Sequence, residues 1–372
     1  MPSDTVWPVA SDRRWQRQFR NKLLAWYDGA ARDLPWRRTR DPYAVWVSEI
    51  MLQQTQVATV IPYFERFLAA FPNIESLAAA HEQDVLRLWE GLGYYRRARQ
   101  MHRAAAILAA QHAGQFPRDP AVVRSLPGIG RYTAGAILSI AFDDRQPILE
   151  ANTLRLLSRL LAYRGDPRSA QGQRLLWSFA EEILPSKRAG TMNQALMELG
   201  SGVCKPRNPL CDDCPLAELC PTRELGLQQS IPAAAPKTRY EEVRETAFVV
   251  WHRKKVLIRQ CQPDERWAGL WDFPRCAHPG HAGEPSGESL ARQLEALTGV
   301  RGILAERLTT FRYGVTRFRI TLSCFHVHHA GGRASAATMR WIAPEQLADI
   351  PLSVTGRKIS RLLAKDSERG RL

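Results

Sequence analysis

The sequence predicts two folded parts of different class: an all-α part over residues 13–226, then an α+β part over 244–365. Three observations carry this expectation. At 372 residues the chain is long enough for two ordinary domains, each burying its own core. Apolar residues recur with the period of a helix as far as about Leu225, and beyond Tyr240 they alternate with the period of a strand. Between these regimes lies "LQQSIPAAAPKTRYEE", rich in proline, alanine and polar residues and without sustained periodicity, which reads as a linker at 227–243. Residues 1–12 and 366–372 read as tails.

In the first part, amphipathic helices are expected at 15–30, 42–54, 57–70, 74–80, 84–92, 96–111, 121–126, 132–141, 153–162, 171–183 and 190–199. In the second, "ETAFVVWHRKKVLIRQ", "TTFRYGVTRFRITLSCFHVHH" and "TMRWIA" read as strands, interrupted by helices at 289–297 and 354–364. Apolar runs such as "AFVVW" are far shorter than the roughly 20 residues of a membrane span, and the start of the chain lacks a basic-then-apolar signal pattern. A soluble cytoplasmic protein is expected. The net charge of +15 is shared, with 31 Lys+Arg against 23 Asp+Glu over 1–239 and 21 against 14 over 240–372. Such a balance describes either a solvated basic surface or a polyanion partner, of which nucleic acid is the most natural.

Four of the seven cysteines fall in "CKPRNPLCDDCPLAELC" as C-x6-C-x2-C-x5-C, at Cys204, Cys211, Cys214 and Cys220. Four thiolates suit a 4Fe-4S cluster. Zinc and plain buried thiols are the alternatives, although zinc sites usually show two C-x2-C knuckles separated by a longer loop. Cys261, Cys276 and Cys324 are scattered and read as small buried side chains. Upstream, "SLPGIGRYTAGAILSIAF" sets Pro127, Gly128, Ile129 and Gly130 between two helices. Glycines permit a tight turn whose amides, with the next helix N-terminus, can bind a phosphate, though a plain helix joint uses glycine too. About 20 residues later stands Glu150, in "PILEANTLRLLSRL".

Hairpin, carboxylate and cysteine run, in that order, resemble the helix-hairpin-helix DNA glycosylases of the endonuclease III superfamily. "LPWRRTRDPYAVWVSEIMLQQTQVATVIPYFERF" and "LWEGLGYYRRARQMHRAA" resemble the MutY-type adenine DNA glycosylases in particular. The resemblance spans about residues 15–225. It implies a helix-hairpin-helix domain with a 4Fe-4S module at 204–220, followed by an α+β Nudix-like domain. The implied function is base excision repair as a nucleoid-associated monomer, removing adenine mispaired with 8-oxoguanine or guanine in double-stranded DNA.

Glu49 sits on an otherwise apolar helix face, where desolvation would raise its pKa, and the resemblance makes it the donor to adenine N7. The plain alternative is a surface glutamate. Endonuclease III carries a lyase lysine where this chain has Tyr132, which implies monofunctional hydrolysis and sets Tyr132 among the catalytic residues with Glu49, Glu150 and Asn152. The family's second carboxylate stands in a motif like "ILDGN", whereas this chain reads Ile148-Leu149-Glu150-Ala151-Asn152. Glu150 is then a retained catalytic carboxylate, the mark of a slowed or differently selective enzyme, or a structural acid at a helix start. Glutamate is a poor N-cap, so Asn152 or Thr153 is expected to cap the helix.

By resemblance Arg37 and Asn152 line the adenine pocket, Gln54 fills the space the flipped nucleotide leaves, and Tyr94 stacks beside the opposite base, unless Tyr94 and Tyr95 are simply core aromatics. Gly128 and Gly130 would hold a phosphate. In the second part "RQLEALTGV" follows the Nudix pattern but carries Gln293, Ala296 and Leu297 where three glutamates would bind Mg²⁺, so pyrophosphatase activity is not expected. The family's Phe-Ser-His segment for 8-oxoguanine corresponds to Val315-Thr316-Arg317, where Thr316 keeps the hydroxyl. The rival reading is a non-catalytic or detuned protein that binds mismatches.

Overall fold

The structure, a computed structural model, describes residues 12–234, 239–278, 285–334 and 338–368, with side chains as far as Asp366. Most of both expected tails, and residues 235–238 of the expected linker, lie outside the described residues. The chain forms two compact units, Met1–Ala79 with Gln100–Pro236, and Ala80–Arg99 with Lys237–Leu372.

Helices α1 Arg13–Ala30, α2 Pro42–Leu52, α3 Val57–Ala70, α4 Ile74–Ala79, α5 Glu82–Leu88, α6 Arg96–Gln111, α7 Pro120–Ser125, α8 Arg131–Phe142, α9 Ala151–Leu160, α10 Ala170–Ile183, α11 Ala189–Gly202 and α12 Pro221–Glu224 follow in order. Most lie within two residues of their predicted bounds. Helix α5 ends four residues early, because Gly91 and Gly93 beyond it take φ of 103° and 71°. Helix α2 is buried from Tyr43 to Met51 and is the central rod, entered through Pro42 and capped by Asp41, whose carboxylate accepts from Tyr43 N and Ala44 N. It packs on α8, while α8 and α9 pack on α11. Gly190 lets α11 approach α8, since a Cβ there would stand 2.2 Å from Ser139 O, and Gly135 lets the chain before α9 lie on α8, since a Cβ there would stand 2.3 Å from Pro147 O. A second cluster, with Phe19, Leu23, Leu156, Phe179 and Leu196, joins α1, α9, α10 and α11. Residues 228–234, within the expected linker, are held to this unit, since Arg159 donates to Gln228 O and Ile231 O and Arg168 to Ala233 O and Ala234 O.

The second unit is built on a seven-stranded sheet. Its strands are β1 Glu241–His252, β2 Lys255–Gln260, β3 Trp271–Asp272, β4 Arg275–His278, β5 Val300–Val315, β6 Phe318–Gly332 and β7 Met339–Ile342. The order is β3-β2-β1-β6-β5, with β4 beside β1 and β7 beside β2. Among the described strand pairs, β1 and β6 run parallel and the others antiparallel. Helix α13 Gly287–Thr298 covers one face through Leu290 and Leu294, and α14 Val354–Glu368 the other through Ile359 and Leu363. Strands β3 and β4 are too short to leave a periodic signal. The first half of β5 was hidden by register shifts at Arg301/Gly302, Leu304/Arg307 and Arg307/Thr309, which break the alternation. Among the described residues no helix is long and apolar enough to cross a membrane.

Candidate active site

One pocket in the first unit is lined by Arg37, Glu49, Tyr132, Glu150 and Asn152, five of the residues singled out in the sequence. Glu49 is the single charged residue of α2 and is 4% exposed. The Tyr132 hydroxyl, on the first turn of α8, donates to its Oε2 at 2.6 Å. Burial pushes the Glu49 carboxyl up to about 7; the hydrogen bond from Tyr132 opposes this, Glu150 adds to it and Arg37 subtracts. Burial and the Glu49 charge push the Tyr132 phenol well above its usual range, which keeps it a donor.

Glu150 corrects an expectation. It is itself the N-cap of α9, with Oε2 accepting from Asn152 N and Oε1 from Thr153 N, both at 2.8 Å. Thr153 Oγ1 accepts in return from Glu150 N at 2.8 Å, completing a capping box. The extended backbone of Glu150 (φ −129°) folds the longer side chain back over the helix end, so neither Asn152 nor Thr153 has to cap. The Asn152 side chain is fixed by Arg155, whose Nη2 donates to Asn152 Oδ1 and Gly200 O and whose Nε donates to Cys204 O. Helix α11 presses on this point: a Cβ on Gly200 would lie 3.0 Å from Asn152 Cβ.

Sequence reasoning missed the face of α11 that closes the pocket, Gln194, Met197 and Ser201, spaced as one side of a helix. It also missed Glu198. That carboxylate takes Arg32 on Oε1 and Arg37 on Oε2 (2.6 Å), so Arg37 is held in place by an ion pair. Burial opposes ionisation of Glu198, but the two arginines hold it below its ordinary range. A lone acid in the apolar run "MNQALMELG" carries the same signal that singled out Glu49.

The other expected residues lie elsewhere. Gln54 follows the end of α2 at φ 59°. Gly128 turns the hairpin before α8 at φ 80°, where a Cβ would stand 2.9 Å from Gln100 Cβ. Gly130 is the N-cap of α8 and has open space where a side chain would be, so its amide is approachable. Tyr94 and Thr316 belong to the second unit. Thr316 takes φ 50° in the turn between β5 and β6, and its hydroxyl donates to Val315 O, while the neighbouring Arg317 pairs with Glu241. Cys204, Cys211, Cys214 and Cys220 line one cavity beside α9. Arg159 Nη1 donates to Cys204 Sγ at 3.3 Å, and Gln228 faces Cys211 Sγ. Four soft sulfur donors on one cavity, beside Leu156, Leu160 and Leu216, are the ligand set that an iron-sulfur group takes.

Residues 47–182 match the HhH-GPD superfamily of base excision DNA repair proteins, 204–220 the iron-sulfur binding domain of endonuclease III, and 246–362 the NUDIX domain. The adenine DNA glycosylase of Buchnera aphidicola subsp. Schizaphis graminum is 37% identical over 257 residues, which are 69% of this chain and 74% of that one. The chain belongs to the adenine DNA glycosylase family. The human adenine DNA glycosylase is 38% identical over 298 residues, 78% of this chain and 54% of that protein. Against the mammalian family members it matches, the chain thus spans about half their length. A solved structure of a thermostable thymine-DNA glycosylase covers 57% of this chain and 98% of its own, at 27% identity and a TM-score of 0.53. The family's architecture of helix-hairpin-helix domain and Nudix domain, with its 4Fe-4S module, is therefore that of this chain.

Proposed function

We propose that this chain is a monofunctional DNA glycosylase that removes adenine mispaired with 8-oxoguanine or guanine from double-stranded DNA. In this reading it acts as a monomer at the nucleoid. The observation that carries it is Glu49: a buried carboxyl poised near neutral pH, aligned by Tyr132, on a pocket it shares with Glu150 and Asn152. The adenine must leave the duplex to enter such a pocket. Glu49 then gives its proton to N7, electrons of the C1′–N9 bond pass to the base, and adenine departs. Glu150 lends its negative charge to the oxocarbenium-like sugar, and Asn152 orients the sugar or the base. Water adds at C1′ and loses a proton, leaving an abasic site with both strands intact. Tyr132 holds Glu49 and is no amine nucleophile.

Arg37, steadied by Glu198, lines the adenine pocket. Gln54 fills the vacated stack, Tyr94 lies beside the opposite base, the Gly128–Gly130 hairpin holds a backbone phosphate, and Thr316 reads the oxidised base. Cys204, Cys211, Cys214 and Cys220 would hold the 4Fe-4S cluster, which when bound supplies a rigid cross-link for the 204–220 loop. A second reading, mismatch binding without excision, draws on the engagement of both Glu150 oxygens in the helix cap.

Single-turnover incubation with an 8-oxoguanine:adenine duplex decides between them. Strand breaks seen only after alkali, with no adduct trapped by borohydride, are expected. Tight binding with the adenine intact would favour the second reading, and a trapped adduct would show an amine at work.

A further inference from the structure

The segment Ala80–Arg99 clusters with the second unit, and polar contacts tie it there. Gln83 Nε2 donates to Gly269 O at 3.0 Å, and Gln83 Oε1 accepts from Trp271 Nε1 at 3.2 Å. Glu90 is gripped by Arg357 in the first turn of α14, with Nε on Oε1 and Nη2 on Oε2 at 2.9 Å, while Leu352 N donates to the same Oε2 at 3.2 Å. The Arg357 fork is tied in turn to Leu347 O and Ile350 O, both at 2.7 Å. Each side chain of the pair is 16% exposed. A two-pronged arginine-carboxylate contact out of bulk water is geometrically demanding, so it fixes where Glu90 stands.

Past Glu90 the chain turns through left-handed backbone at Gly91, Gly93 and Tyr94, with φ of 103°, 71° and 48°. For tyrosine that conformation costs about 1 kcal/mol and persists only where the surroundings impose it. They do so here: Trp89 Nε1 donates to Gly93 O, Arg97 donates to Leu92 O and Gly93 O, and the Arg97 guanidinium lies 5.4 Å from the centres of the Trp89 and Tyr94 rings. The tyrosine so held is 47% exposed. Trp89 and Arg97 shape the loop from within; Glu90 fastens its entry to β7-distal chain, namely the turn before α14 and α14 itself.

From this arrangement we infer that the Glu90–Arg357 pair is a positioning device for Tyr94, by which the C-terminal part of the chain sets how tightly a mispair is held. Glu90 and Arg357 touch no DNA; they act through the tyrosine. The inference rests on the glycosylase reading, in which Tyr94 stacks beside the base opposite adenine.

The test uses the full chain and a duplex carrying 8-oxoguanine opposite an uncleavable adenine analogue. Glu90→Gln keeps the shape and removes the charge. It should weaken binding about tenfold in the parent but by no more than about twofold in a Tyr94→Ala background, because a device that acts through Tyr94 has nothing left to act on. Arg357→Met should match it, and the double variant should be no worse than either. Equal losses with and without Tyr94, or no loss in the parent, would overturn the inference. If Glu90→Gln lowers the folded fraction, Arg357→Lys, which keeps the charge without the fork, goes through the same cycle. Adenine release by the unsubstituted chain is measured alongside, so failure of the glycosylase reading is seen there while the binding cycle still decides the role of the pair.

Discussion

At the scale of single residues, the proposed reaction needs the proton that Glu49 stores on folding. Its carboxyl moves from an ordinary 4.5 to about 7 on folding, chiefly through burial. Folding thus favours the protonated form. The stability this confers is complete below about 4.5 and is lost as pH rises through 7, with an upper bound on the order of 3 kcal/mol. Activity follows the same sign, since a general acid must carry its proton, so single-turnover excision should fall as pH rises through about 7. Glu49→Gln should lose at least about 100-fold in excision while binding a mispair normally. The same variant should melt above the parent at pH 8.5, and the gap should shrink at pH 5, because the amide carries no buried charge to lose. A melting difference independent of pH would show that Glu49 folds ionised, and would remove it as the acid.

At the scale of elements, the start of α9 joins a helix cap to the site. A glutamine at 150 keeps the length but can accept only one of the two amide bonds now made to Asn152 N and Thr153 N. Glu150→Gln should therefore cost about 1 kcal/mol of stability and, separately, about 3–4 kcal/mol of transition-state stabilisation, near 100- to 1000-fold in single-turnover rate. Glu150→Asp retains charge and a better capping residue but draws the carboxylate back by roughly 1.5 Å, so it should be slower than the parent by about 10- to 100-fold without loss of melting temperature. A faster aspartate would mean that the pocket is set for the shorter acid, and that this chain runs below its capacity. The helix itself was legible: "TLRLLSRL" shows its period, and Glu150 stood out as a lone acid at its head. The reciprocal cap was not, because capping preferences rank glutamate low and say nothing of a backbone extended enough to let it fold back. Likewise Gln194 reads as an ordinary helix residue until α11 is seen against α8 and α9. Pairwise approach, at Gly190 and Gly200 for example, is tertiary information that no local period contains.

At the scale of the whole molecule, two apolar cores were legible from the change of period near residue 240, and two units with separate cores are found. Less legible was that residues 80–99, which read as one more stretch of the helical part, cluster with the sheet-bearing unit. Their ties include polar contacts such as Glu90 with Arg357, which lie 267 positions apart and leave no trace in any window of sequence. Separate cores imply separate melting, and the cysteine module belongs wholly to the first unit. There Arg159, buried on α9, donates to Cys204 Sγ, Lys205 O, Gln228 O and Ile231 O, so one guanidinium ties the module to residues 228–231. Cys211→Ser removes one of four soft donors, and the purified protein should lose its iron and the broad brown absorbance of the cluster. Calorimetry of the parent should resolve two transitions, and the variant should lower one of them by roughly 5 °C or more while leaving the other in place. Mispair affinity should fall with it if, as we propose, Lys205 and Arg207 of the same loop contact the phosphates. Were both transitions to move together, the two units would be one cooperative structure, and the independence of their cores would not survive.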